Sequence, residues 1–162
     1  MLLLLRPLVK MLYLKKLSSY PFKALYIRQI LDMKTLHHTF RASLSQDAKW
    51  KPGLREFFEY RDLGINTATN GSFNAHVIRV KKPAGTFPRT GIHLHELDFQ
   101  MIYVLKGWIK FIYKDHGEFR FSEGDCCLQP PNIIHNELEC SDDLELIEIT
   151  SPATFKTKVA KF

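Results

Sequence analysis

The sequence predicts an all-β sandwich or barrel. Three observations carry that prediction: many short runs in which apolar and polar residues alternate, turn residues between them, and no long stretch with a helical period. Trp50 to Leu63 opens on a Pro-Gly turn and continues into aromatic, strand-compatible residues, and Asn66 to Gly71 supplies the next turn. Ser72 to Lys82 (SFNAHVIRVKK) alternates as a strand does. Phe73, Ala75, Val77 and Arg79 fall on one face of it, and Asn74, His76, Ile78 and Val80 on the other. Pro83 to Arg89 breaks that pattern. Further strands are expected at Gly91 to Leu97, Phe99 to Leu105, Trp108 to Tyr113, Glu118 to Phe121, Cys126 to Gln129, His135 to Cys140 and Leu144 to Thr150. Turn signals separate them, among them Lys106-Gly107, Asp115-His116-Gly117, Glu123-Gly124-Asp125, Pro130-Pro131-Asn132 and Ser141-Asp142-Asp143.

One domain with a real core fits 162 residues at 45% apolar and 25% charged content, and a disordered or collagen-like chain does not. The formal charge of +6 invites a nucleic-acid or acidic-membrane partner until it is located. Residues 1–32 hold six basic residues and one acid, whereas residues 33–162 hold 17 basic and 16 acidic. The basic balance therefore gives the domain itself no case for nucleic-acid binding.

Twenty of the first 32 residues are apolar and none before Asp32 is acidic, so a boundary falls at about Asp32 to Met33. Residues 1–32 read as a basic apolar N-terminal extension and residues 33–162 as a single domain. The extension suits an amphipathic helix that targets the chain or lies on a membrane surface. It suits a secretory signal poorly, because Met1 to Leu5 is apolar before the first charge at Arg6. The alternative is a functional start at Met33. Arg6, Lys10, Lys15 and Lys16 keep the leucine-rich start well short of the apolar run of about 18 residues that a spanning helix needs. Three cysteines, with Cys126 and Cys127 adjacent, do not suit ordinary disulfide geometry, and a reducing, cytoplasmic compartment is expected.

The chemistry concentrates in residues 91–107, GIHLHELDFQMIYVLKG. His93 and His95 are separated by one residue, so on a strand both project to the same side. His135 opens another strand after the Pro-Pro-Asn turn, and a closed sheet can bring its ring beside the first two. Neutral imidazole is a good ligand for zinc, copper, iron and nickel.

These residues resemble the two signature motifs of the cupin family. The first motif runs His-x-His, a carboxylate after three or four residues, then glycine after six, and His93, His95, Gln100 and Gly107 stand at those places. In the second motif Gly124, Pro130 and His135 match, while Asn132 replaces a glycine and Glu139 an asparagine. Asparagine is the next most tolerant residue of a left-handed backbone. The resemblance spans about Phe73 to Ile149, with motifs at 91–107 and 124–139. The blocks FFEYRDLG, HLHELDFQMIYVLKGW and SDDLELIEITSP are similar to a group of small single-domain bacterial cupins. The resemblance implies a jelly-roll β-barrel, often a homodimer, with one divalent metal ion (Fe, Mn, Ni, Cu or Zn) held by His93, His95 and His135.

Gln100 is the informative departure. Three neutral imidazoles and an amide would leave a divalent ion its full double charge, and an amide oxygen is a poorer donor than a carboxylate. The site therefore reads as effectively three-histidine, with Gln100 beside the ligands or facing the substrate, and as preferring an anionic, chelating ligand that brings the missing charge. Glu96 and Asp98 read as turn or surface acids. One of Cys126 and Cys127 should face the interior and the other should not. His76 reads as pocket-lining or hydrogen-bonded and as a substrate-binding candidate, and Arg79 as a candidate for a substrate carboxylate if it faces inward. Tyr103, Trp108, Phe111 and Tyr113 suit core or dimer packing.

These features favour a metal-dependent enzyme acting on a small molecule, with dioxygenase-type oxidoreductase chemistry expected first and isomerase or lyase chemistry beside it. The competing reading is a metabolite- or metal-binding sensor without catalysis. Fold resemblance does not choose among reactions.

Overall fold

A computed structural model of the chain describes residues 38–53, 57–81, 87 and 91–162. The extension 1–32 lies outside the described residues, as does most of the Pro83 to Arg89 break. The compact unit is His37–Phe162. Within it, the described residues form a 3-10 turn at Ser45–Asp47, one short helix α1 (Ile65–Ala68) and strands in two antiparallel sheets. The strands are β1 (Lys51–Pro52), β2 (Phe58–Asp62), β3 (Asn74–Val80), β4 (His93–Glu96), β5 (Phe99–Lys106), β6 (Trp108–Tyr113), β7 (Gly117–Ser122), β8 (Cys126–Gln129), β9 (His135–Cys140), β10 (Glu145–Ser151) and β11 (Lys156–Val159). One sheet has the order β1-β2-β3-β10-β5-β8 and the other β11-β4-β9-β6-β7. From β3 to β6 the chain changes sheet at every strand, so the two layers are stitched together.

Side-chain alternation then decides what fills the space between the layers. The six-stranded sheet sends in Phe58, Val80, Ile102, Val104 and Leu146, and Ile109, Phe111 and Tyr113 come from the other. Leu144, in the turn before β10, completes the cluster. Cys127 packs against it while Cys126 is exposed, which is the split expected of adjacent strand residues.

Two turns required particular residues. At the end of β5, Gly107 has φ 70°, and a Cβ there would lie 2.2 Å from Ser141 Oγ and 3.0 Å from the Leu144 nitrogen. Only glycine allows the β5–β6 turn to lie that close to the β9–β10 turn. Asn132 has φ 61° and follows Pro131, with Ile133 N–H donating to the Pro130 carbonyl at 3.1 Å. Proline followed by a left-handed residue is what a type II turn demands.

The structure differs from the sequence reading at three elements. Asn66 to Gly71 is not only a turn: α1 takes its first part, and Asn70 and Gly71 turn left-handed after it. Thr69 organises the switch, its hydroxyl donating to the Ile65 carbonyl at 2.8 Å and accepting from Phe73 N–H at 3.0 Å. The strand expected from Gly91 begins at His93, because Gly91 is itself left-handed at φ 81°. Strand β11 was not expected, and it pairs with β4 from Lys156 opposite Glu96 to Val159 opposite His93.

Candidate metal centre

Strand alternation places His93 and His95 on one side of β4, and register places His135 directly opposite His93 across the β4–β9 pair. The three rings converge, with centroid separations of 4.9 Å (His93–His95), 4.4 Å (His93–His135) and 5.2 Å (His95–His135). One nitrogen of each lies within 4.8 Å of the other two.

The chain's own backbone settles which nitrogens face inward. His93 Nδ1 lies 2.8 Å from the Gly91 carbonyl and His135 Nδ1 lies 3.0 Å from the Ile133 carbonyl. A carbonyl only accepts, so both Nδ1 atoms carry the proton and both Nε2 atoms keep a lone pair. His95 Nδ1 is 2.9 Å from the Thr157 hydroxyl, which can accept in the same way. His93 Nε2 is buried and has no hydrogen-bond partner among the described residues. An orphaned acceptor beside two other imidazoles is what a metal ligand looks like without its ion. The residues therefore fit a divalent ion.

Electrostatics favours the ligating form of His95 and His135. Burial, and then the neighbouring His135 and His93, push His95 down to about 4. Burial likewise lowers His135, against a smaller opposing effect of its bond to the Ile133 carbonyl. Both shifts favour the neutral imidazole at physiological pH.

Beside the histidines lies a cavity of about 260 Å³, lined by His95 and His135 together with Tyr60, His76, Gln100, Glu137, Glu148 and Phe155 among others. Of the sequence-derived candidates, His93, His95, His135, Gln100 and His76 are brought together here. His76 Nε2 lies 2.8 Å from Glu148 Oε2, and Gln100 Nε2 donates to Glu148 Oε1 at 2.8 Å. Burial works to raise the Glu148 carboxyl, but the hydrogen bond and charge of His76, helped by Gln100, outweigh it and hold the group below the usual carboxylate range. A wider depression of about 750 Å³, lined by Arg41, Arg61, Asp62 and Asn74 among others, shares His76 with the cavity but holds none of the three clustered histidines.

Arg79 is not brought to this site. It lies on the Val77 face of β3, its guanidinium bonded to Glu59 at 2.9 and 3.1 Å and 3.7 Å from the ring centre of Trp50. The candidate role at a substrate carboxylate in this cavity is corrected accordingly: the parity of β3 that sends His76 inward sends Arg79 outward. Glu96 and Asp98 are exposed, and Glu96 pairs with Lys158. Glu148 and Glu137 are the residues that the sequence reading missed.

Solved structures similar to the chain share its fold. They include KdgF from Halomonas sp. (18% identity, covering 72% of this chain and 96% of that one, TM-score 0.56). The polyketide cyclase RemF from Streptomyces resistomycificus matches at 16% identity over 76% of this chain and 87% of that one, TM-score 0.61. An RmlC-like cupin from Shewanella frigidimarina matches at 20% identity over 72% and 95%, TM-score 0.54. The fold is the cupin fold. No family model matches the sequence, and no curated protein does. Within this cupin barrel the histidine triplet sits where two strands of one sheet meet across from β5 and β10 of the other. Among the described residues no helix is long and apolar enough to cross a membrane.

Proposed function

We propose that the protein is a metal-dependent enzyme acting on a small molecule, with one divalent ion (Fe, Mn, Ni, Cu or Zn) held by Nε2 of His93, His95 and His135. The orphaned, buried His93 Nε2 carries this reading. When bound, the ion supplies Lewis-acid polarisation of a coordinated substrate oxygen. The cavity beside it, at about 260 Å³, suits a small ligand.

The pair His76–Glu148 supports proton-transfer chemistry. Both groups line the cavity and lie 2.8 Å apart, so the pair can hold or pass on a proton that a bound ligand gives up. Isomerase and lyase reactions use such proton-holding groups, which supports them beside the dioxygenase class. A relative of similar fold, Pac13, is described as a nucleoside dehydratase, a reaction that also moves protons without redox chemistry (15% identity, TM-score 0.54).

The case for an anionic ligand rested on a site without carboxylates. Glu137 and Glu148 both line the cavity, and no lysine or arginine does so among the described residues. That lining favours an uncharged, oxygen-bearing chelating ligand. The outward face of the six-stranded sheet carries Met101, Tyr103, Leu128, Ile147 and Ile149, which supports a homodimer.

Elemental analysis of purified protein tests the metal reading. Near-stoichiometric metal is expected, and His135→Ala should lose it. Protein that carries no metal and cannot be reconstituted would leave only the binding-module reading.

A further inference from the structure

Gln100 stands where the cupin resemblance places an acidic ligand, yet the site is not short of a carboxylate. Gln100, 3% exposed, donates from Nε2 to Glu148 Oε1 at 2.8 Å. We propose that Glu148, reaching in from β10, is the charge-bearing partner of this metal site and acts on the ion through Gln100. It fixes the amide so that the carbonyl oxygen is the end left for the ion, and it supplies the negative unit that a glutamate at position 100 would have supplied directly. The proposal rests on the metal reading above.

Topology explains how the two meet. On the β10–β5 pair Glu148 lies opposite Ile102, and Gln100 lies opposite Thr150, so Glu148 and Gln100 are diagonal neighbours on the inward face. Long side chains span a diagonal of that kind. Glu148 is also opposite His76 on β3, and His76 Nε2 at 2.8 Å occupies its other oxygen. A carboxylate held at both ends cannot swing away from the amide.

Chemistry sets the direction of the effect. An ionised carboxylate has no proton to give, so Gln100 must turn its NH₂ toward Glu148 and keep its carbonyl oxygen for another partner. A charge-assisted hydrogen bond to the NH₂ draws the amide toward its charge-separated form, with more negative charge on that oxygen. Glu148 thus makes Gln100 a better donor than an isolated amide, while neutralising half of a divalent charge one group away.

Cobalt(II) is the probe, because its visible absorption reports the coordination sphere and dialysis reports the affinity. Glu148→Gln should weaken cobalt binding about 10- to 100-fold, the usual loss when a group that orients a ligand is removed. The exchanged variant Gln100→Glu with Glu148→Gln should restore wild-type affinity, since the charge returns at the ligand itself. Thermal unfolding of the metal-free proteins separates a binding loss from a folding loss. Wild-type protein that binds no cobalt would overturn both the metal reading and this one. Wild type that binds, with Glu148→Gln binding equally tightly, overturns this one alone. If Glu148→Gln does not fold, the exchanged variant decides, and failure of that variant to match wild type overturns the proposal.

Discussion

Asn132 donates its backbone N–H to the carbonyl oxygen of His95 at 3.1 Å, so the turn that launches His135 is anchored on the strand that carries His93 and His95. The turn that presents this N–H holds Asn132 in the left-handed conformation, φ 61°. A β-branched residue there should cost about 1–2 kcal/mol of backbone strain, and glycine almost none. Asn132→Val is expected to lower the urea midpoint and metal uptake together, and Asn132→Gly to preserve both. Equal midpoints for the two variants would show that the turn does not depend on that conformation.

Gly107→Ala should be among the more damaging single methyl additions. The residue is left-handed at φ 70°, and the new Cβ would meet Ser141 Oγ at 2.2 Å and Asp143 Oδ1 at 2.7 Å. Side chains can rotate aside, but the Leu144 nitrogen at 3.0 Å is backbone, and Leu144 is a core residue, 1% exposed. Strain and displaced packing together should cost on the order of 2–3 kcal/mol, read by equilibrium denaturation. A loss under about 0.5 kcal/mol would mean that the two turns separate easily.

The metal-free protein should lose stability as pH falls from about 6.5 toward 4. Unfolded His95 takes up a proton near its ordinary value of 6.5, whereas burial and the adjacent rings hold the folded group at about 4. Between those values the unfolded chain binds more protons, so unfolding becomes easier as pH falls; above 6.5 the contribution is constant. His135 is shifted in the same direction and adds to the slope. Urea midpoints across this range check the sign. In His95→Gln the slope should shrink, and an unchanged slope would assign it to other groups.

The histidine cluster is legible in the sequence because it obeys local rules. His93 and His95 share a face by alternation, and the left-handed Asn132 keeps the turn before His135 in register. Glu148 obeys no such rule. On β10 it lies between Ile147 and Ile149, and a reading by hydrophobic alternation would turn the isoleucines inward and Glu148 outward. The sheet does the opposite, with Leu146, Glu148 and Thr150 on the inward face and the isoleucines on the face shared with Met101 and Tyr103. Both faces of this sheet carry apolar side chains, so alternation carries no sign. Arg79 was left open by the same ambiguity on β3. Strand β11, with the sequence KTKV and all four residues exposed, has no hydrophobic pattern and exists by backbone pairing with β4.

That unpatterned strand carries the last prediction. Thr157, opposite His95 on β11, places its hydroxyl 2.9 Å from His95 Nδ1, and among the described residues no other hydrogen-bonding group plays the part that backbone carbonyls play for His93 and His135. Removing the hydroxyl while keeping the shape, Thr157→Val, should release the His95 ring and weaken metal binding about 10-fold or more. Stability should change by no more than about 1 kcal/mol, because the bond is solvent-exposed. Thr157→Ser should bind as wild type does. Metal titration beside thermal unfolding separates the two effects, since a strand that had detached would lower both. If Thr157→Val bound metal as tightly as wild type, His95 would have to be oriented by packing against Phe155, 5.1 Å away between ring centres, and β11 would then matter as a wall of the cavity alone.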